Sequence, residues 1–123
     1  MTTTKTSFMK VIYIAGSYRG RTPLETRQNI HEAEGLAVAV WVNGMVALCP
    51  HTNCAHMDGV ASEEIFLEGT LELMRRCDAV LLVHNWEDSE GAKREVEEAK
   101  RRGIPIFSTL AKLKEWNEFN EIR

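Results

Sequence analysis

The sequence predicts an α/β domain, a doubly wound Rossmann-like or flavodoxin-like three-layer sandwich on a mainly parallel sheet of four or five strands. Three observations predict it. Short apolar runs at 10–15, 45–49, 78–83 and 104–107 lack polar alternation, the pattern of strands buried on both faces. Segments of helical length and period separate these runs, so the connections are crossovers rather than hairpins. Gly16, Gly44, Pro50 and Gly103 punctuate the boundaries, as turn and helix-stop residues should.

A chain of 123 residues, 44% of them apolar, can build one real core. We expect a single domain over residues 10–123, preceded by a polar, mobile tail at 1–9. The net charge of −3 and a pI near 5.8 argue against a nucleic-acid coat or a membrane-surface binder, both of which would be basic. A small anionic ligand is still allowed, because local charge outweighs the total. The first ten residues, MTTTKTSFMK, lack the apolar core of a secretory signal. The longest apolar stretch, 36–42, falls far short of the ~20 residues that span a bilayer. Three cysteines are too few for a disulfide framework, which places the chain in a reducing cytoplasm.

Taken in order, the first strand (KVIYIA, 10–15) stops at Gly16-Ser17-Tyr18-Arg19-Gly20. Thr22-Pro23-Leu24-Glu25 is a capping box with proline at the first helical position, so a helix starts there. Ile30, Ala33, Ala37, Val40 and Trp41 give it one apolar stripe, and Gly44 ends it. After the second strand, residues 51–61 have no period and read as a loop long enough to be functional. Residues 62–76 read as a helix, 78–83 as the third strand, and 89–102 as a charged amphipathic helix stopped by Gly103. Leu110, Leu113 and Trp116 or Phe119 mark a last helix beyond the fourth strand.

In such sheets ligands bind beyond the carboxyl ends of the strands. The segments 16–20, 50–59 and 84–91, the three least regular of the chain, should therefore converge on one edge. At 16–20, backbone N–H groups beside a hydroxyl and a guanidinium could cradle an anion; the bland alternative is an ordinary turn with a solvated arginine. Ser89 is a good N-cap, and the amides of the helix it starts would face the ligand edge. Glu95 falls on that helix's inward stripe with Ala92, Val96 and Ala99, whereas Arg94 faces elsewhere. A carboxylate there is costly unless hydrogen-bonded or functional; otherwise it reaches solvent or pairs with an arginine. Asp78 opens a strand, where a local hydrogen bond would also explain it. Trp86 either stacks on a base or packs at the rim. Cys49, His51, Cys54 and His56 invite a zinc reading, but their spacing matches no standard structural site and Cys49 closes a buried strand. No metal is expected.

The run IAGSYRG at 14–20, CDAVLL at 77–82, Ser89-x-Gly91-x3-Glu95 and GIPI at 103–106 together resemble the nucleoside 2-deoxyribosyltransferase superfamily over residues 10–107. The sequence is most similar to the branch that hydrolyses deoxynucleoside 5′-monophosphates and to short phage and bacterial relatives. The resemblance implies that Glu95 attacks the anomeric carbon and that water or another base resolves the glycosyl-enzyme. It implies a substrate site of Gly16, Ser17, Tyr18, Arg19, Gly20, Asp78, Trp86, Ser89 and Gly91. Of these, Ser17, Arg19, Ser89 and the Gly91 amide would hold the 5′-phosphate. Transferases acting on free nucleosides resemble this chain with an aspartate in place of Ser89; a serine accepts a phosphate that an aspartate would repel. The implied protein is a cytoplasmic homodimer acting on a small nucleotide, with no cofactor, nucleic-acid polymer or membrane involved. Thr70 departs from the pattern, since the hydrolase branch has an aspartate there; Glu68 and Asp58 are the alternatives nearby. A nucleotide-binding module without turnover is the rival reading.

Overall fold

The computed structural model describes residues 9–53 and 59–122, so the expected tail lies outside the described residues except for Met9. In chain order the elements are β1 (Val11–Ala15), α1 (Pro23–Val42), β2 (Val46–Leu48), α2 (Pro50–Asn53), α3 (Glu63–Arg75), β3 (Ala79–Leu82), a 3-10 turn (Trp86–Asp88), α4 (Glu90–Arg102), β4 (Ile106–Phe107) and α5 (Leu110–Ile122).

The four described strands form one sheet in the order β2-β1-β3-β4, and every pairing is parallel. The chain moves outward from β1 to β2, then crosses back to β3 and continues to β4. This reversal puts the topological switch point between β1 and β3, where open α/β sheets bind ligands.

Both faces are covered, which explains why the strands lack alternation. Ile12, Ile14, Leu81 and Val83 point to one side and pack with Ala33 and Val40 of α1, Leu113 of α5 and Met45 just before β2. Tyr13, Ala15 and Val80 point to the other side and pack with Leu71, Met74 and Ala99 of the α3–α4 layer. The predicted sandwich is the observed one.

Helix ends follow their sequence signals. Thr22 caps α1 by accepting from Glu25 N, although Glu25 reaches back to Arg21 N rather than to Thr22 N. Ser62 and Ser89 cap α3 and α4 in the same way. Gly103 closes α4 in the left-handed conformation that favours glycine.

Two details differ from the sequence reading, and a third decides an alternative it left open. Pro50 does more than end β2: its fixed φ suits a first helical position, and Pro50–Asn53 make one helical turn inside the expected loop. Helix α1 is not apolar on one stripe alone, because Val38, Trp41 and Val42 are exposed. On α5, Trp116 packs against Phe107 with ring centroids 5.4 Å apart, while Phe119 is exposed.

Candidate active site

Tyr13 stands in the middle of β1 with neither ring nor hydroxyl exposed. A buried phenol needs a polar partner, and it finds one on α4: its hydroxyl donates to Glu95 Oε2 at 2.6 Å. Glu95 is only 7% exposed, and among the described residues its carboxylate is met by a phenol rather than by an arginine. Arg94, one residue earlier, faces outward and lies 3.9 Å from Glu68. Burial pushes the Glu95 carboxyl above the usual carboxylate range, with the Tyr13 hydrogen bond and the nearby Thr70 hydroxyl working in the opposite sense. The Tyr13 phenol is likewise pushed up, first by burial and then by the carboxylate charge. Thr70 thus belongs to this cluster, although its hydroxyl hydrogen is directed at Leu67 O, 3.1 Å away in its own helix. Glu68 points toward Arg94 instead, and Asp58 lies outside the described residues.

At the switch point, Gly16 is needed because the ends of β1 and β3 nearly touch. A Cβ there would lie 2.6 Å from the Val83 side chain and 3.0 Å from Asn85 Oδ1. Neither Gly16 nor Gly20 is in the left-handed region, which among the described glycines is adopted by Gly44, Gly59 and Gly103. The 16–20 loop is held by hydrogen bonds to neighbouring elements. Ser17 N donates to Asn85 Oδ1 at 3.0 Å, Gly20 N to Thr26 Oγ1 at 2.8 Å, and Arg21 N to Glu25. The buried Ser17 hydroxyl donates to Asn85 O at 2.8 Å. The Ser17 and Gly20 amides of the expected cradle are therefore used within the protein, as is the Ser17 hydroxyl hydrogen.

His51 supplies the loop's floor. Its Nε2 is 2.6 Å from Ser17 O, so Nε2 carries the hydrogen. Its Nδ1 is buried without a hydrogen-bond partner, and burial holds its pKa below the usual imidazole value. The ring meets Tyr18 edge-on at 5.6 Å, and the Arg19 guanidinium lies 5.9 Å from the Tyr18 ring centre. Cys49 is also buried, but Cys54 and His56 fall outside the described residues. Among the described residues, no group of three or more His, Cys, Asp or Glu could hold a metal ion.

Ser89 follows the turn that carries the half-buried Trp86, and its Oγ accepts from Ala92 N at 3.1 Å. As an accepting cap, the hydroxyl uses a lone pair rather than its hydrogen in that bond. A Cβ on Gly91 would meet nothing closer than 3.5 Å, so the fold itself does not require glycine there.

Asp78 must be corrected. It sits at the amino end of β3, where Oδ2 accepts from Val11 N at 2.7 Å and its own N–H donates to Val11 O at 2.8 Å. In a parallel sheet that is the edge opposite the loops, so its role is to join two strand starts. The open cleft on the loop edge, about 1290 Å³, is walled by the 17–21 loop, α1, Asn85 and Asp88, and these walls do not include Glu95.

A family described as a domain of unknown function, DUF4406, matches residues 10–108. The chain belongs to that family. No curated protein matches it. Among solved structures, this DUF4406 domain is similar to a 2-deoxyribosyltransferase from the psychrotolerant bacterium Bacillus psychrosaccharolyticus. The TM-score is 0.57 at 20% identity, over 78% of this chain and 69% of that one. At that identity the likeness is one of fold, and it agrees with the fold implied by the sequence resemblance. No helix among the described residues of the DUF4406 domain is long and apolar enough to cross a membrane.

The resemblance did not bring forward Tyr13, Asn29 or Asn85. For Tyr13 a signal was available: a tyrosine inside an unalternating strand carries a hydroxyl that must be satisfied.

Proposed function

We propose that this DUF4406 domain cleaves the N-glycosidic bond of a (deoxy)nucleoside 5′-monophosphate, as a hydrolase or a deoxyribosyltransferase, with Glu95 as nucleophile. The observation that carries the reading is the buried Tyr13–Glu95 hydrogen bond on the α4 side of the switch point. A carboxylate held dry and oriented suits attack on a carbon that develops oxocarbenium character. The fold neighbour, named as a 2-deoxyribosyltransferase suited to nucleoside synthesis, lends support.

In the first step a Glu95 oxygen bonds to C1′ while the C1′–N bond breaks. The base departs with that electron pair and takes a proton from solvent. In the second step water attacks C1′, the ester to Glu95 breaks, and the carboxylate is restored. The water's hydroxyl stays on the sugar phosphate and its other proton returns to solvent. A second base in place of water makes the reaction a transfer. Tyr13 holds the attacking oxygen and lowers its pKa against the effect of burial. Arg19, the Ser89 hydroxyl and the first amides of α4 hold the 5′-phosphate. The same reading carries a homodimer and needs no cofactor.

Thr70 and the near-complete burial of Glu95 favour a second reading, a nucleotide-binding module without turnover. Incubation with the common nucleoside and deoxynucleoside 5′-monophosphates, followed by chromatography for free base, separates the two. Release of base from at least one nucleotide supports the glycosidase reading. Saturable binding with no release from any of them selects the module.

A further inference from the structure

Two asparagines outside the proposed contacts close a relay around the 16–20 loop. Asn85, just beyond β3, accepts from Ser17 N through Oδ1 at 3.0 Å. Its Nδ2 donates to Asn29 Oδ1 on α1 at 3.1 Å, and Asn29 Nδ2 donates to Tyr18 O at 3.2 Å. The two carboxamides thus run head to tail from the N–H of one loop residue to the carbonyl of the next. The backbone donor at one end and the backbone acceptor at the other determine both amide orientations, since flipping either would face donor to donor or acceptor to acceptor. Asn85 is gripped in return, because Ser17 Oγ donates to its carbonyl at 2.8 Å. The absence of a side chain at Gly16 is what lets Asn85 Oδ1 come so close.

We infer that Asn85 and Asn29 are positioning residues that set the selectivity for the 5′-phosphate, an inference that rests on the phosphate-site reading above. The relay joins the loop to both β3 and α1, the two elements that bound it across the switch point. It leaves Ser17 and Tyr18 in one conformation before any ligand arrives, so Arg19, the next residue, projects from a fixed base. Affinity then does not have to offset the ordering of the loop. Neither asparagine needs to touch the nucleotide.

The test uses Asn85→Ala, Asn29→Ala and the double variant of the full chain. Dissociation constants are measured by calorimetry for the four common deoxynucleoside 5′-monophosphates and for the matching nucleosides. Amide hydrogen exchange at Ser17 and Tyr18 is followed without ligand, and a cooperative thermal transition shows that each variant folds. We expect Asn85→Ala to weaken nucleotide binding about tenfold, the order expected for a lost hydrogen bond, while nucleoside binding stays within about twofold. Exchange at the Ser17 amide should quicken, and the double variant should be no worse than Asn85→Ala, because both act through one relay. Folded variants that keep the wild-type ratio of nucleotide to nucleoside affinity would overturn the relay and leave the phosphate site standing. A wild-type protein that binds nucleotide and nucleoside equally would overturn the phosphate site and the relay together. Should Asn85→Ala not fold, Asn29→Ala decides alone, since it breaks the far end of the relay and leaves the Ser17–Asn85 bonds in place.

Discussion

The two sides of the β1–β3 switch point are built on opposite plans. On the α4 side, Tyr13, Glu95 and Thr70 form a small closed cluster in which a carboxylate is nearly stripped of water and its pKa rises. On the α1 side, the 16–20 loop borders an open cleft, and its backbone groups are held by Asn85, Thr26, Glu25 and Asn29. One side buries a carboxyl away from solvent; the other fixes a shape by satisfying its own hydrogen bonds. In the loop the Ser17 and Gly20 amides already have partners, as does the Arg21 amide just beyond it, so these three donors are used within the protein.

The change that breaks this comparison most severely is Glu95→Gln. It keeps the size and the acceptor for Tyr13 but removes the charge, so turnover measured by base release should fall by about three orders of magnitude or more. The same variant should unfold at higher temperature at pH 7, because a raised carboxyl pKa opposes stability at neutral pH. The sign follows from the linkage. A group with a raised folded-state pKa contributes fully below its ordinary value of 4.5, and that contribution is lost as pH rises through the folded value.

Arg19→Ala acts on the other side alone. KM for a nucleotide should rise roughly 10- to 100-fold while kcat changes little, as loss of a contact equal in ground and transition states requires. Steady-state kinetics with a nucleotide and its nucleoside checks this; an equal effect on both would mean that Arg19 does not read the phosphate.

Tyr13→Phe sharpens the α4 side. Without the phenol the carboxyl climbs further, and the acid limb of the pH–rate profile should move alkaline. A profile that does not move would detach Tyr13 from the titration of Glu95.

The smallest effect tests a charge on the outer part of α4, one turn beyond Glu95. Glu98 accepts from Arg75, Arg101 and Arg102, and these guanidiniums hold its carboxyl down at about 2. Its contribution is present above the ordinary 4.5 and is lost as pH falls from there toward 2. Acid unfolding of Glu98→Gln should therefore depend less on pH across that window, and added salt should narrow the difference from wild type, because the group is near the surface.

Much of the fold was legible because the signals were local. Unalternating strands, the caps at Thr22, Ser62 and Ser89, and the stop at Gly103 all act over a few residues. The inward position of Glu95 was legible for the same reason, from helical spacing alone. Its partner was harder to see, since Tyr13 lies 82 residues away and only the packing of α4 on β1 brings them together. The partners of the amides at Ser17, Gly20 and Arg21 were not legible either: they are Asn85, Thr26 and Glu25, whose side chains could as well have faced solvent. Asp78 misled because a motif shared along the chain does not say which edge of the sheet a residue occupies.

The central claim is that Glu95 becomes covalently bound to the sugar. Incubating wild-type protein with a 2′-fluoro-2′-deoxynucleoside 5′-monophosphate, which slows resolution of the intermediate, followed by peptide mass spectrometry, tests it most directly. The account predicts the added mass of the fluorinated sugar phosphate on the peptide carrying Glu95, and no such mass in Glu95→Gln. Label on any other residue, or unimpaired base release by Glu95→Gln, would contradict it.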